Sequence, residues 1–396
     1  MIPPQDLAVL KPPLWNATFL TYVLINLCIF MGFDMLLPTL SLYLVAQGCP
    51  KEIIGIIFAC FAVSAVSSRL VASRLSQFLG PLRVLKLGLL FCGLGAILFF
   101  AMPQAISYAL ARFLFGAGYG LTSTLMISMA AQTIPPSRLG EGLGYLGLGA
   151  TVALAIGPMV GLTVAKNFGY VILFSSVAVC YLLAMGISLT LPKVTLAFPD
   201  KKRVGWLETL KLLSPALKTS FLIFIYGLAV CGVSAYLAVY CEEKNLPSAA
   251  SFFVISTIGT LFSRVTSGRV YDRFGHRMVV PPAVILVAVS IFMVYLAQAR
   301  TSFYAAAIIY GLGAGSLFPA LQAMTLASTP LSHRTGTSAL FYNAFDVGIG
   351  LGVTIMGFFA GYYQSYAMVY LLSSGLMALA LVIYALFFAW PIKKKA

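Results

Sequence analysis

The sequence contains very little charge. Only 9% of its 396 residues are Asp, Glu, Lys or Arg, whereas an ordinary soluble domain carries about 25%. Hydrophobic residues make up 61% of the chain, and its mean hydropathy is +0.98. Such a chain cannot cover itself with polar surface. This composition excludes a soluble enzyme, a disordered regulator and a disulfide-stapled secreted module, and it predicts an integral membrane protein.

Residues that carry catalytic or metal chemistry are also scarce. The chain has two His and seven Cys, and none of the Cys form a CxxC pair. No GxxxxGK[ST] sequence is present to cradle the phosphates of ATP. We find no grouping of paired carboxylates, or of Ser with His, that would mark a catalytic site. The sequence therefore predicts a protein that is not an enzyme and that needs neither a metal nor a cofactor.

Long apolar runs, such as 279–297 and 366–390, lack the alternation of membrane β-strands. Each is long enough for a helix to cross a hydrocarbon core about 30 Å thick, which takes about 20 residues. The predicted spans are 17–46, 52–79, 83–102, 105–132, 139–166, 170–192, 216–241, 248–271, 277–298, 302–329, 335–362 and 366–391.

A longer polar break divides these twelve spans into two sets of six. We predict a cytoplasmic tail at 1–14, a six-helix bundle at 15–192, a cytoplasmic linker at 193–214, a second bundle at 215–391 and a basic tail at 392–396.

The distribution of Lys and Arg predicts how the chain is oriented in the membrane. If the N-terminus is cytoplasmic, the Lys and Arg residues that flank or separate the spans lie on the cytoplasmic side. Four residues are exceptions: Lys51, Lys166, Lys244 and Arg300. This bias follows the positive-inside rule, so both termini are expected in the cytoplasm and the protein in the inner (plasma) membrane. From the Pro-rich start and the full-length apolar stretch after it, we expect no removable signal peptide. The net charge of +15 is then explained by topology and by anionic lipid, without nucleic acid as a partner.

The two halves repeat with a shift of 195 residues. SRLVASRLSQFLGPLR (68–83) aligns with SRVTSGRVYDRFGHRM (263–278), so that Arg69 matches Arg264. With the same shift, FGAGYG (115–120) aligns with YGLGAG (310–315). Two separate motifs in one register indicate a parallel duplication, as in one class of transporters.

Three motifs resemble those of the major facilitator superfamily, in particular its twelve-span drug:proton antiporters. GRVYDRFGHR (268–277) matches the loop pattern G-x-x-x-D-R-x-G-R/K-R. RFLFGAGYG (112–120) resembles the fourth-span motif, and GATVALAIGPMVG (149–161) resembles the antiporter motif of the fifth span. The resemblance covers the whole chain. It implies an all-α membrane protein with the major facilitator fold, twelve transmembrane helices in two six-helix bundles.

The resemblance also implies residues that control opening and closing. In the first copy of the loop motif, Gln77 replaces the Asp and brings no charge, so Asp272 is expected to supply that ionic latch in the second half. The predicted gating residues are Arg69, Arg74, Gly80, Gly157, Pro158, Gly161, Gly268, Asp272, Arg273, Gly275 and Arg277.

Asp34, Arg112 and Asp346 stand well within apolar spans, where a charge is costly and usually functional. Asp34 and Arg112 lie at similar depth in spans one and four, so the two can meet, either as a static ion pair or in proton and substrate binding. Asp346 has no basic residue within the second-half spans to pair with. We therefore predict that it carries the proton. The alternative is a protonated Asp346 that is hydrogen-bonded to Asn343, Tyr342 or a backbone carbonyl.

Aromatic and polar side chains recur on single helix faces and predict a cavity for a medium-sized amphipathic solute. The predicted substrate-binding residues are Arg112, Tyr22, Asn26, Phe30, Tyr119, Ser123, Tyr226, Tyr236, Tyr310, Gln322, Tyr342 and Asn343. The predicted proton-coupling residues are Asp346 and Asp34.

The sequence thus favours a secondary active exporter, driven by inward proton flow and working by alternating access. Its expected partners are a small-molecule substrate, protons and membrane lipids, and we expect a monomer. Two alternatives stay open: proton-coupled or facilitated uptake of a metabolite such as a sugar or organic acid, and, less favoured, a lipid-handling membrane enzyme. A channel fits the two-half repeat poorly.

Overall fold

The computed structural model describes residues 14–101, 105–135, 139–192, 206–329 and 334–389, and the regular structure within these ranges is helical. The first part contains α1 (Ala17–Ala46), α2 (Lys51–Leu79), α3 (Pro81–Ala101), α4 (Ala105–Thr133) and α5 (Leu139–Ser188). The second contains α6 (Trp206–Cys231), a π-helix (Gly232–Tyr236), α7 (Leu237–Glu243), α8 (Ala249–Phe274), a 3₁₀ turn (His276–Met278), α9 (Val280–Leu296), α10 (Arg300–Ala327), α11 (Arg334–Tyr362), α12 (Ala367–Tyr384) and a last π-helix (Ala385–Ala389).

Within the described residues, 11 helical stretches are long and apolar enough to cross a membrane. The chain is therefore a multi-pass membrane protein. The difference from the predicted twelve comes from α5, which holds predicted spans five and six in one stretch of 50 residues. Gly169 interrupts it with φ 84° and ψ 172°. That backbone conformation is open to glycine, so one residue suffices to break the helix.

The predicted linker and tails lie mostly outside the described residues. Residues 1–13, 193–205 and 390–396 are not among them. The following helix, α6, begins at Trp206, within the predicted linker 193–214. The seventh predicted span is formed by α6, the π-helix and α7 in succession.

We term α1–α5 the N-half and α6–α12 the C-half. In the N-half, α1 packs along α5, and α4 packs against α2 and α3. In the C-half, α10 packs against α8 and α9, and α11 packs against α6. The most extensive contacts between the halves are those of α2 with α11 and of α5 with α8, and α1 also contacts the π-helix and α7. The first two pairs match under the 195-residue shift, since α2 corresponds to α8 and the first part of α5 to α11.

The predicted repeat is also present in the packing. Gly118 of α4 lies against Gly88 and Cys92 of α3, while Gly313 of α10 lies against Ala283 and Val287 of α9. Each contact in the C-half is displaced by 195 residues from its counterpart. A Cβ on Gly118 or Gly313 would collide with the facing helix. Small residues thus let these helices approach closely, which stabilises helix pairs in lipid.

The two halves are in close contact at the end of the molecule where α1 turns into α2, here termed the α1–α2 end. Thr354 of α11 donates a 3.0 Å hydrogen bond to the backbone oxygen of Gly55 in α2. A Cβ on Gly357 would lie 3.1 Å from the backbone oxygen of Lys51. Ser41 of α1 donates a hydrogen bond to the backbone oxygen of Ala235 in the π-helix. We refer to these contacts as the clamp.

Candidate functional site

Arg69 of α2 stands at the centre of a polar cluster between the halves. Its guanidinium forms an ion pair with Asp346 of α11 and donates a 2.8 Å hydrogen bond to the side-chain oxygen of Asn343. It also lies 3.4 Å from the hydroxyl of Ser123 in α4. The ring of Tyr119 is 5.7 Å from the guanidinium carbon. We call these five residues the central cluster.

Helix periodicity brings the members of the cluster together. Asn343 and Asp346 are three residues apart, and Tyr119 and Ser123 are four apart, so each pair lies on one face of its helix. Gly120 lets α4 approach α2, because a Cβ there would collide with the backbone oxygen of Ala65 and the hydroxyl of Ser68. The close approach places Arg69 within reach of both α4 and α11.

The structure corrects the prediction that Asp346 has no basic neighbour. That prediction considered only the C-half and overlooked Arg264, which lies within the predicted span 248–271. The partner, Arg69, comes from the N-half and is 277 residues away in sequence. Arg69 was grouped with the loop motif, yet it lies ten residues before the end of α2 at Leu79. The distance of Arg69 from the loop is the signal in the sequence that could have revealed its position within the helix.

The Arg69–Asp346 pair is almost entirely buried, with side chains 8% and 10% exposed. A buried ion pair gains little net stability, because both charges lose their water. Removing only one partner is far more costly, about 3–5 kcal/mol, since the other charge is left uncompensated. The pair therefore responds strongly to any event that neutralises one of its members.

Arg112 and Asp34 do not form the expected pair, since no ion pair joins them within the described ranges. The Arg112 guanidinium lies 4.8 Å from the ring of Phe58 and 4.6 Å from that of Phe61. Its three nitrogens have no hydrogen-bond partner among the residues described. Arg112 is fully buried, and two rings from α2 cover its guanidinium.

Asp34 packs against α5. It is 3% exposed, and a Cβ on Gly157 would lie 2.7 Å from the Asp34 Cβ. Gly161 lies against the backbone of Met35 in the same way. Two glycines of the fifth-span motif, on either side of Pro158, thus fit α5 closely against the stretch of α1 that carries this carboxylate.

Several of the predicted substrate-binding residues join helices within one half. Asn26 donates a 2.9 Å hydrogen bond to the backbone oxygen of Leu146, which fastens α1 to α5. Tyr236 donates to the backbone oxygen of Val353 at 2.8 Å. Tyr22 is fully buried and its hydroxyl has no hydrogen-bond partner in the described part of the chain.

Other predicted residues contact aromatic or polar side chains of neighbouring helices. The ring of Phe30 in α1 contacts the Tyr119 ring edge-on at 5.9 Å. Tyr226 stacks on Phe345 of α11 at 5.9 Å. In the C-half, Tyr310 contacts the ring of Phe252 at 5.7 Å, and the Gln322 amide donates a 3.0 Å hydrogen bond to the Tyr342 hydroxyl.

The predicted gating residues near the helix ends have exposed side chains. These are Arg74, Asp272, Arg273 and Arg277. Among the described residues, Asp272 forms no ion pair, so its role as an ionic latch stays a prediction. Gly80 and Gly275 end α2 and α8 with φ of 84° and 75°, and the Gly268 position has open space around it.

Comparison with known proteins identifies the family. The model of the Major Facilitator Superfamily matches residues 22–270 and 246–396. An uncharacterised MFS-type transporter of Methanocaldococcus jannaschii is 24% identical over 360 residues, covering 88% of this chain and 90% of that protein. The staphylopine export protein of Staphylococcus aureus is 23% identical over 325 residues, covering 78% and 81%.

A solved structure gives the same fold. The nucleoside transporter NupG, crystallised as a D323A mutant, superposes with a TM-score of 0.76 at 13% identity, covering 93% of this chain and 100% of that one. Together with the family match over both halves, this likeness supports the all-helical fold that the motifs implied. The chain belongs to the Major Facilitator Superfamily of membrane transporters.

Proposed function

We propose that this transporter exports a medium-sized amphipathic small molecule by alternating access, driven by protons that bind to Asp346. The observation that carries the proposal is the buried ion pair between Arg69 of the N-half and Asp346 of the C-half. A carboxylate whose charge holds the two halves together couples its own protonation to their separation.

The coupling follows from charge. With Asp346 ionised, its carboxylate attracts the Arg69 guanidinium in a site with little water, where electrostatic attraction is strong. A proton that binds to a carboxylate oxygen removes that attraction. Arg69 then keeps only its neutral contacts with Asn343 and Ser123. The contact between α2 and α11 weakens, and the halves can rearrange.

We also propose a topology for the chain in the membrane. Gly169 divides α5 into two crossings, which gives six crossings in each half. Both termini then lie in the cytoplasm, in accord with the charge bias, and the α1–α2 end faces outward. In this conformation the clamp at Ser41, Gly55 and Thr354 keeps the outer side closed.

Two observations support export over import. The fifth-span glycines that resemble the antiporter motif, Gly157 and Gly161, pack directly on the Asp34 segment of α1. One relative is named as an export protein. Proton-coupled or facilitated uptake is the second candidate, because a nucleoside transporter shares the fold.

Proteoliposomes with an imposed pH gradient test the proposal. Compounds from an amphipathic panel are added, and dissipation of the gradient identifies a transported solute. We expect Asp346→Asn to abolish uphill transport while downhill exchange continues. Glu242→Gln, at an exposed carboxylate near the α1–α2 end, is the matched control and should behave as wild type. Full uphill transport by Asp346→Asn would exclude the proposed proton carrier, and gradient-driven accumulation in the opposite direction would favour uptake.

A further inference from the structure

A cavity of about 450 Å³ opens in the C-half, at the end of the molecule opposite the α1–α2 end. We term it the C-half cavity. It lies where α6, the 3₁₀ turn after α8, the end of α10 and the π-helix after α12 come together. Polar and aromatic side chains share its wall, and they include Lys218, Tyr271, His276, Ser328, Phe387 and Phe388.

The cavity lies at the level where the apolar stretches of these helices begin or end. The stretches that are long and apolar enough to cross a membrane start at Ala216 and His276 and end at Ala327 and Phe388. Lys218 is two residues inside the first of these boundaries. At such a level the hydrocarbon core gives way to the polar headgroups of the lipids. The cavity is therefore in the position of a lipid headgroup.

The polar side chains of the cavity are suited to an anionic group. The ammonium of Lys218 offers three donors, and its Nζ lies 5.7 Å from the centre of the Phe387 ring. The Nδ1 atom of His276 lies 2.7 Å from the Tyr384 hydroxyl. When this hydroxyl donates to Nδ1, the proton of a neutral His276 is on Nε2, which can donate it to an anion. The described residues that line the cavity include no Asp or Glu.

Apolar side chains beside the cavity are exposed on the outside of the helices. Leu217, next to Lys218, is 40% exposed, and Leu386 and Phe387 after α12 are 70% and 49% exposed. On a membrane-spanning helix such side chains contact the acyl chains of lipids, which are as apolar as leucine. A molecule with an anionic head and acyl chains can thus place its head in the cavity and its chains along α6 and the π-helix after α12.

The charge of the neighbouring segments argues against a part of this chain as the occupant. Three Lys follow α12 at 393–395 in the sequence. The end of α8 carries the exposed side chains of Arg269 and Arg273 beside that of Asp272. Basic segments are repelled by Lys218 and attract the same anions as it does. Anionic lipids are concentrated in the cytoplasmic leaflet, where basic residues next to the membrane attract them.

We propose that the C-half cavity binds the phosphate of an anionic phospholipid headgroup, with Lys218 and His276 as its donors. The acyl chains then lie against Leu217 and Leu386. The bound lipid joins α6 to the end of α12 and so stabilises the C-half. Its assignment to the inner leaflet rests on the proposed topology, whereas binding itself depends on neither the direction nor the coupling of transport.

Thermal unfolding of the purified full-length transporter in a non-ionic detergent tests the proposal. Dioctanoyl phosphatidylglycerol and dioctanoyl phosphatidylcholine share their acyl chains and differ in net charge, and each is titrated separately. We expect the anionic lipid to stabilise the protein at about fivefold lower concentration, a factor equivalent to about 1 kcal/mol. This is the size of effect that one basic residue has near anionic lipid.

A soluble phosphate distinguishes a headgroup from a free anion. sn-Glycerol 3-phosphate lacks acyl chains and should have little effect when it is titrated alone. If it stabilises the protein at the same concentration as the anionic lipid, and this effect is lost in Lys218→Gln, the cavity binds a soluble phosphate compound and the lipid assignment is wrong.

Variants assign the effect to the cavity. Lys218→Gln should remove most of the preference for the anionic lipid, Lys218→Arg should keep it, and His276→Phe should reduce it. Arg83→Gln, at an exposed position near the start of α3 at the same end of the molecule, removes an equal charge and should leave the preference intact.

Three results would overturn the proposal. The first is equal stabilisation by the two lipids, and the second is an unchanged preference in Lys218→Gln. The third is an equal loss of preference in Lys218→Gln and Arg83→Gln, because it would show attraction to the overall positive charge instead of binding at one site. Failure of the proposed proton coupling would leave all of these measurements unaffected.

Discussion

Arg69 donates a 2.8 Å hydrogen bond to Asn343, three residues before Asp346 on the same face of α11. The guanidinium thus has a neutral acceptor beside its charged one. When Asp346 is neutralised, Asn343 still holds the arginine, and the charge of Arg69 is not left without a hydrogen-bond partner. A neutral acceptor beside the carboxylate suits the opening of the pair that the proposed mechanism requires.

A double-mutant cycle measures the coupling between Arg69 and Asp346. Arg69→Gln alone should lower the free energy of unfolding by about 3–5 kcal/mol, because Asp346 is left as a buried, uncompensated carboxylate. Adding Asp346→Asn should recover most of that loss. Unfolding of each purified variant in the same detergent supplies the four values. If the effects of the two substitutions simply add, the residues do not interact energetically.

Ser41→Ala removes the hydrogen bond from α1 to the backbone oxygen of Ala235. We expect this change to weaken the clamp and to populate a conformation that is open at the α1–α2 end. Spin labels at Gln47→Cys and Asn245→Cys, in a background without the seven native Cys, report the separation of the halves there by electron paramagnetic resonance. A longer mean distance in Ser41→Ala is the expected result. An unchanged distribution would mean that this bond does not contribute to closure.

Gly350 packs against Ala62 where α11 approaches α2. Gly350→Val should separate these helices, because its Cβ would collide with the Ala62 methyl group, and should lower transport severalfold. Gly375→Val is the matched control, since nothing lies within 4 Å of a Cβ built at that position of α12. Initial transport rates and the thermal unfolding of both variants provide the test. Equal effects at the two positions would contradict a specific role for the α2–α11 contact.

Arg112→Met tests the free-energy cost of burying the Arg112 guanidinium between aromatic rings. Methionine roughly fills the apolar space between Phe58 and Phe61 and removes a buried charge that has no hydrogen-bond partner in the described ranges. Replacing buried charges with apolar groups often stabilises a protein by about 1–4 kcal/mol. We expect higher stability together with lower transport, measured by unfolding and by flux. A loss of stability would instead assign Arg112 a structural role.

The sequence predicted the helices well where its apolar runs were long. The apolar runs gave the helices that pack around the central cluster, and the two glycine motifs predicted the repeated contacts of Gly118 and Gly313. The prediction was less accurate at tight turns. The two spans joined at Gly169 form one interrupted stretch, because a short turn at a single glycine leaves regular helix on both sides.

The predictions for charged residues were less successful. The sequence indicated correctly that Asp346 lies within a helix long and apolar enough to cross a membrane, but it did not identify Arg69 as its partner. It placed Arg112 and Asp34 at similar depth, yet these residues face different neighbours. Depth along a helix follows from counting residues, whereas the direction of a side chain depends on how that helix is rotated against its neighbours.

Hydrophobicity and glycine spacing in the sequence determined that this chain is a helical membrane protein with a duplicated plan, because both act over short stretches of chain. Only the tertiary structure decided which charges meet. The ion pair between Arg69 and Asp346 joins residues 277 positions apart, and it depends on the packing of α2 against α11. In the apolar interior that contact leaves Asp346 beside a cation, and the proposed proton coupling depends on this pair.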